Sequence, residues 1–581
     1  MGDKNTLLAF LFIGLIFLLM PYYYEWMGLN PHVAEEGYEN KQEYVRERET
    51  KRVDNVQETQ ENPGNATSEN IQDQETTSTH QNKVSQPESQ IIKQVFIPQK
   101  ISVQTPLQEL EFTTEGGVLT SVKLPKYEKL PGEKVSLLPP NGTGLILELR
   151  DENGKQGKDL RTIEFTPNTR SLNLQSGTQG TLQLRAILGD GQYIEKRFHF
   201  DADDYGVRIE LAYSGFDDQT IAFLGWEGGI AFAEQNDQVD LDAMRAIAFF
   251  NEDVKELIAN EAEPEEWTEL GALHWAGVKN KYFFSAIIPR VPVRHHVELN
   301  SRYRYPTLGD RRPSPAHDYR VGWRLSRSGT WEGLMYLGPL DYEEVIKYQA
   351  ELERAMDLGW PIVREFSKVL IVLFVAAYEY VPNYGWVIIL FAFFIKLITW
   401  PLTKKSYESA TKMQELAPQI AALKEKYKND KQRLSQETMK LYSKGGANPF
   451  GSCWPMLLQM PIFVAMYSIF SSTIELRQSP FILWIDDLSR PDEIMVGGIA
   501  IHILPILMSA AMFFQTKMTM KDPKQAAMVY LMPAIMLIFM WGFASGLVLY
   551  WTVFNVLQVA QQHFNNRGKQ KVIDPSSGSG P

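Results

Sequence analysis

Five apolar runs lie in the C-terminal third of the chain, at about 384–402, 453–472, 497–515, 527–543 and 545–562. Each is long enough to cross a bilayer, since a spanning helix needs ~20 predominantly apolar residues for ~30 Å of hydrocarbon. Lipid offers no water to backbone N–H and C=O groups, so only helices and closed barrels cross it. A polytopic α-helical membrane protein is therefore expected. A further run, VLIVLFVAAY at 369–378, would rise only ~15 Å as a helix. Arg364, Glu365 and Lys368 precede it, and it reads as an amphipathic helix in the interface.

Charge orients the spans. The segment 404–444 carries ten Lys/Arg against five Asp/Glu, whereas 473–496 carries two against five. Lys517, Lys521 and Lys524 lie in the next loop, and Arg567, Lys569 and Lys571 follow the last span. Basic loops stay in the cytoplasm, so 404–444, 517–526 and the C-terminus are expected there. The N-terminal run TLLAFLFIGLIFLLMPYYYEW is read as a retained anchor at 1–27. A cleaved signal would carry small residues where bulky Pro21, Tyr22, Tyr23, Tyr24 and Trp26 stand. Six spans result, with both termini in the cytoplasm and the residues after the anchor outside.

Those outside residues have two parts. Residues 28–89 are rich in Glu, Gln, Asn, Thr and Ser; they bury too little apolar surface to fold and predict a disordered tether. Residues 90–340 change to short β-type runs such as GTLQLRAIL, YIEKRFHF and YGVRIELAY, broken by Gly, Pro, Asn and Asp. That pattern predicts an all-β sandwich in one domain. LDYEEVIKYQAELERAM at 340–356 predicts a closing helix. The stretch 341–382 then links the sandwich to a five-span core at 383–565, and 566–581 is a cytoplasmic tail whose SSGSGP end reads as a non-native addition.

The net charge of −12 argues against a general binder of DNA or RNA. The single cysteine, Cys453, cannot form an internal disulfide, and no Cys/His cluster has zinc-ligand spacing. No metal or cofactor is expected.

Four motifs ask for a role. Lys396 is the only Lys, Arg, Asp or Glu inside any of the five runs. A charge at the centre of a membrane helix costs ~2.5–3.5 kcal/mol on insertion scales. Snorkelling to the cytoplasmic end accounts for part of it. The alternative is a water-filled recess where the lysine attracts an anionic group from another molecule. Trp551, Asn555, Gln558 and Gln562 recur at spacings of four, three and four, so they share a face of the last span. Gln459 adds an amide on the third span, and inter-helix hydrogen bonding or a wet cavity explains these polar groups equally. Met528, Met532, Met536 and Met540 fall four apart, either as ordinary packing or as an adaptable surface for apolar partners. Met413, Leu416, Ile420, Leu423 and Tyr427 form a coiled-coil-type stripe continued by Leu434, Thr438 and Leu441, which predicts a helical hairpin turning at 428–430. It is either a solvated spacer or a basic docking arm for acidic segments or ribosomal RNA.

At these residues the chain resembles the YidC-type insertases (the Oxa/Alb/YidC family), in the Gram-negative form with a large periplasmic domain. The resemblance rests on WPLTKKSYESATKMQELAPQIAALKEKYKNDKQRLSQETMKLYSKGGANPFGSCWPMLLQMPIFVAMY, ELRQSPFILWIDDLS and SGLVLYWTVFNVLQVAQQ. GGVLTSVKLPKYE, HWAGVKNKYFFSAIIP and LMYLGPLDYEEV resemble the periplasmic domain more loosely. The resemblance implies insertion and folding of nascent proteins in the bacterial inner membrane, alone or beside the Sec translocon, with transient ribosome contact. It implies a hydrophilic groove open to cytoplasm and lipid and no covalent chemistry. Groove residues would be Lys396, where relatives usually carry arginine, with Gln459, Tyr550, Trp551, Asn555 and Gln558. Trp551 replaces a common second tyrosine, and Ala392 stands where relatives can carry a hydroxyl. Met528, Met532, Met536 and Met540 would form a slide for apolar client segments. Two other classes stay open: a secondary transporter, which should show paired repeats, and an envelope carbohydrate-active protein working through the β-domain.

Overall fold

The computed structural model describes residues 97–570 except 153, 155–156, 158–159, 190, 260–262, 293, 305–313, 447–453 and 520–525. The chain divides into two units, 1–94 and 95–581. The expected anchor at 1–27 and tether at 28–89 lie outside the described residues, as do 571–581 of the tail.

Alternation of apolar and polar residues builds the β-domain. In β10 (Gly206–Ser214) Val207, Ile209 and Leu211 are buried while Arg208 is exposed, as a strand with one face on a core demands. One sheet runs β7 (Ser171–Asn173), β1 (Lys100–Gln104), β2 (Glu109–Thr113), β3 (Leu119–Leu130), β5 (Thr143–Arg150), β11 (Ile221–Glu227), β17 (Ser314–Arg324), β16 (Arg294–Arg304). The other runs β8 (Gln179–Gly189), β9 (Gln192–Asp201), β10, β18 (Ser328–Pro339), β15 (Phe283–Pro289). One strand, β14 (Glu265–Lys279), belongs to both. Its residues 265–272 pair with β16, and 273–279 pair with β12 (Arg245–Phe250). Gly271 sits at the crossing, where an added Cβ would lie 2.5 Å from the Phe250 ring. Trp226, Trp275, Tyr319 and Tyr336 fill the space between the layers.

The closing helix expected at 340–356 is only one turn and a half. Asp341 caps α2 (Tyr342–Ile346) by accepting from Glu343 N at 2.9 Å, the second short helix after α1 (Asp237–Leu241). Gln349 and Glu351 then adopt left-handed φ of 51° and 56°, which ends helical propagation. The break lets Ala355 O and the Asp357 carboxylate meet the buried Lys279 Nζ at 2.8 and 3.0 Å.

The helical core follows. The apolar 369–378 run proves to be the second half of a twenty-residue helix, α3 (Pro361–Tyr380), with proline at its first turn. A single helix, α4 (Tyr384–Lys426), carries the first run straight into the basic segment through Pro401 and Pro418. It turns back as α5 (Lys431–Lys444), capped by Asp430. Met413, Leu416, Ile420, Leu423 and Tyr427 are half-buried against half-buried Leu434, Thr438 and Leu441, the seam that their spacing predicts.

The remaining helices are α6 (Trp454–Ser472), α7 (Ile503–Thr519), α8 (Ala526–Phe539) and α9 (Ser545–Gln570). The run expected at 497–515 starts later, because 494–501 fold as a hairpin of β19 (Ile494–Val496) and β20 (Ile499–Ile501). Gly497 and Gly498 supply the two positive φ values, 60° and 85°, that its two-residue turn requires. Among the described residues one helix, over 384–401, is long and apolar enough to cross a membrane; 503–518 and 529–542 are apolar but shorter. α9 packs on α7 and α4, and α3 packs on α6.

Candidate functional site

The two parallel helices α4 and α9 face each other with polar stripes. On α4, Ala392, Lys396, Thr399 and Thr403 recur at four, three and four; on α9, Tyr550, Phe554, Gln558 and Gln561 recur at four, four and three. Helical spacing stacks each set on one side. The stripes meet in register. Lys396 Nζ donates to Gln558 Oε1, and the Gln561 amide meets Thr403 Oγ1 at 3.1 Å. Thr399 and Thr403 also turn their hydroxyls back to the carbonyls of Ile395 and Thr399, at 2.9 and 3.0 Å. That leaves the stripe polar without adding charge.

Lys396 is only 3% exposed, so its ammonium does not reach bulk water along its own helix. Its Nζ lies 4.9 Å from the centroid of the Phe554 ring, a cation–π contact that offsets part of the lost hydration. No carboxylate pairs with it among the described residues. Two buried neighbours on α9 add to the pattern: Asn555 Nδ2 and Tyr550 Oη have no hydrogen-bond partner. Buried polar groups are almost always satisfied, and here an amide N–H and a phenol lack an acceptor on the helix that also supplies the Lys396 ammonium with its one amide acceptor. The arrangement is a cluster of buried donors.

The other expected residues take varied places. Trp551 is half-buried, edge-on to Phe463 of α6 at 4.5 Å. Gln459 is half-buried on α6, and Gln562 is buried in the C-terminal half of α9. Met532 and Met536 are half-buried on α8, while Met540 is fully buried in a 3-10 turn beyond its end. The side chain of Met528 lies outside the described residues. Exposed on α8 are Tyr530, Leu531, Ile535 and Ile538. Thr403 and Gln561 are additions that spacing alone could have flagged, since they share the faces of Lys396 and Gln558; Phe554 is a third addition, on the same face of α9.

Residues 376–572 match the family described as 60Kd inner membrane protein, and residues 100–373 match the YidC periplasmic domain. The chain belongs to the YidC family of membrane protein insertases. It is 32% identical over 496 residues to the membrane protein insertase YidC of Chlorobaculum parvum, covering 81% of this chain and 82% of that one. The YidC of Chlorobium phaeovibrioides is 34% identical over 488 residues, covering 80% and 83%. A solved structure of an active YidC insertase with its first transmembrane domain resolved is 19% identical, covers 80% of this chain and 92% of that one, and gives a TM-score of 0.35. Every candidate residue named above falls within the stretch matching the inner-membrane part of the YidC family.

The periplasmic-domain match and the inner-membrane match are joined by a charged junction. Arg477, in the loop after α6, donates through Nε to Glu234 Oε1 at 2.5 Å and through Nη2 to the carbonyls of Glu128 and Ala233. Glu234 also accepts from Arg490 at 3.2 Å. Arg490 in turn presents its carbonyl to Ser545 N, the first residue of α9, at 2.6 Å. The β-domain thus holds the loop that seats the helix carrying Gln558. Nearby, Glu475 is half-buried, with its Oε2 enclosed and unpartnered; desolvation of the carboxyl, with Asp341 adding repulsion, pushes it up to about 7.

Proposed function

We propose that this chain inserts and folds nascent inner-membrane proteins through a hydrated groove between α4 and α9, open to cytoplasm and lipid. The observation that carries the reading is the buried Lys396 ammonium, held by the Gln558 amide and the Phe554 ring without a counter-charge among the described residues, on the helix pair that also carries the unpartnered donors of Asn555 and Tyr550. An acidic or unpaired polar segment of a client would complete these donors while its apolar part moves into lipid. Partitioning of that apolar part supplies the energy.

Six spans, both termini in the cytoplasm and a periplasmic β-domain are part of the same reading, supported by the Lys/Arg asymmetry of the loops. The basic hairpin of α4 and α5 then projects into the cytoplasm, where a translating ribosome brings the client; the Sec translocon is the second source of clients. The apolar partner surface is assigned to α8, where Met532 and Met536 sit beside exposed Leu531, Ile535 and Ile538. By spacing Met528 and Met540 belong to the same stripe, although Met540 is buried.

Depleting a host insertase and supplying this chain tests the function. Restored growth and restored insertion of a single-span client are expected; membrane accumulation of the chain with no rescue would refute it.

A further inference from the structure

We propose that the hairpin Ile494–Val496/Ile499–Ile501 is a lipid anchor, its glycine tip buried in the outer leaflet at the headgroup–acyl boundary. The proposal rests on the spanning reading of α7 given above.

Three observations carry it. The eight residues IMVGGIAI contain no charged or hydrogen-bonding side chain, yet the tip is open: Met495 is 61% exposed, Val496 55% and Ile499 69%. Apolar side chains at that exposure on a two-stranded edge in water invite aggregation. The base of the hairpin is fixed to the outer end of a span. Asp492, buried, accepts from Leu504 N in the first turn of α7 at 2.8 Å and from Trp484 Nε1 at 3.0 Å. His502 Nδ1 closes on the Asp492 carbonyl, so both arms leave from the point where α7 begins. With ~3.4 Å per strand residue the tip lies ~10 Å from that base, the depth of the headgroup and upper acyl layer.

The composition changes abruptly at the base, which is the signature of a phase boundary. Asp486, Asp487, Arg490, Asp492 and Glu493 precede the hairpin within eight residues, and nothing charged follows until Lys517. A protein partner would be met by some polar rim, whereas this surface offers only aliphatic side chains and a methionine. Lipid is the occupant that asks for nothing else. Fixing the outer end of α7 in this way would hold α9, which packs on it, at a set depth.

The test uses the full chain in liposomes, with Cys453→Ser removing the one native thiol. A nitroxide at Val496→Cys is compared with labels at Asp487→Cys and at Leu397→Cys on the exposed side of α4. Collision with oxygen, enriched in lipid, and with a water-soluble nickel complex gives the depth of each site. The expected result is a several-fold higher oxygen-to-nickel ratio at 496 than at 487, approaching that at 397. Val496→Cys combined with Ile499→Asp should return the ratio to the 487 value. A 496 label as accessible to nickel as 487 overturns the anchor. An impermeant thiol reagent added outside separates the two readings: labelling of Asp487→Cys with a water-like 496 defeats the anchor alone, whereas no labelling of 487 defeats the spanning reading and the outer-leaflet anchor with it.

Discussion

Lys396 and Gln558 meet across two parallel helices, the lysine Nζ donating to the glutamine Oε1 with no carboxylate paired to it among the described residues. Gln558→Leu would leave the ammonium with the Phe554 ring alone and should destabilise the protein by ~1–3 kcal/mol, the cost of stranding a buried charged donor. Adding Lys396→Met should recover most of that loss, since no charge then needs the amide. Thermal denaturation of the four proteins in detergent reads the coupling; strictly additive effects would mean that the two side chains do not interact.

Glu234 accepts from two arginines, and Arg477 is as deeply buried as the carboxylate itself, each side chain being 3% exposed. Removing one partner of a buried pair costs ~3–5 kcal/mol, whereas replacing both by apolar groups is often neutral. Glu234→Ala should therefore be more harmful to stability and to insertion than deleting the β-domain outright, because deletion returns Arg477 and Arg490 to water. Glu234→Leu with Arg477→Met should recover stability. Deletion causing complete loss of insertion at normal expression would assign the domain a direct role.

Glu475 gives the junction a pH dependence. Its carboxyl, raised by burial from its ordinary value to about 7, costs stability as pH climbs from ~4.5 through ~7 and costs nothing below that window. Glu475→Gln should raise the unfolding temperature at pH 8, by the equivalent of ~2–3 kcal/mol, and leave it almost unchanged at pH 5. A gain of equal size at both pH values would contradict this assignment.

Within the β-domain, Lys196 is fully buried and donates to the carbonyls of Gly116, Gly117 and Leu145 at 2.9–3.1 Å. Three acceptors match three N–H groups, although burial lowers the ammonium to about 7. Lys196→Met should destabilise this domain by ~2–4 kcal/mol through the unpaired carbonyls, with no effect on the helical core. Protease protection of the two regions would distinguish them.

Much of the core was legible because a membrane imposes long apolar runs and makes any charge conspicuous. Lys396 stood out for that reason, and the α9 face stood out through its helical spacing. Their pairing was not legible, since one sequence does not say which helices face each other. Phe554 was hidden because an aromatic in a span reads as ordinary packing. GGIAI read as the start of a span, although its two glycines carry the turn that ends that reading. The closing helix failed for a related reason: nothing in the residue types of Gln349 and Glu351 announces their left-handed backbone, which opens the way to the Lys279 contact. Glu234 and Arg477, 243 residues apart, had no local signal at all.

The role of the Lys396 charge is read from insertion of one single-span client, with its tail acidic and then neutralised, by four proteins: native, Lys396→Arg, Lys396→Met and Lys396→Glu. Met removes the buried charge and should ease membrane integration by up to ~2.5–3.5 kcal/mol, so any loss of activity is not a loss of stability. A charge acting in a hydrated groove predicts that Arg works as well as Lys, that Met handles the acidic tail poorly, and that Glu is worse still. The neutral tail should be inserted nearly equally by all four. Equal insertion of both tails by the Lys and Met proteins would contradict the account and return Lys396 to a structural role.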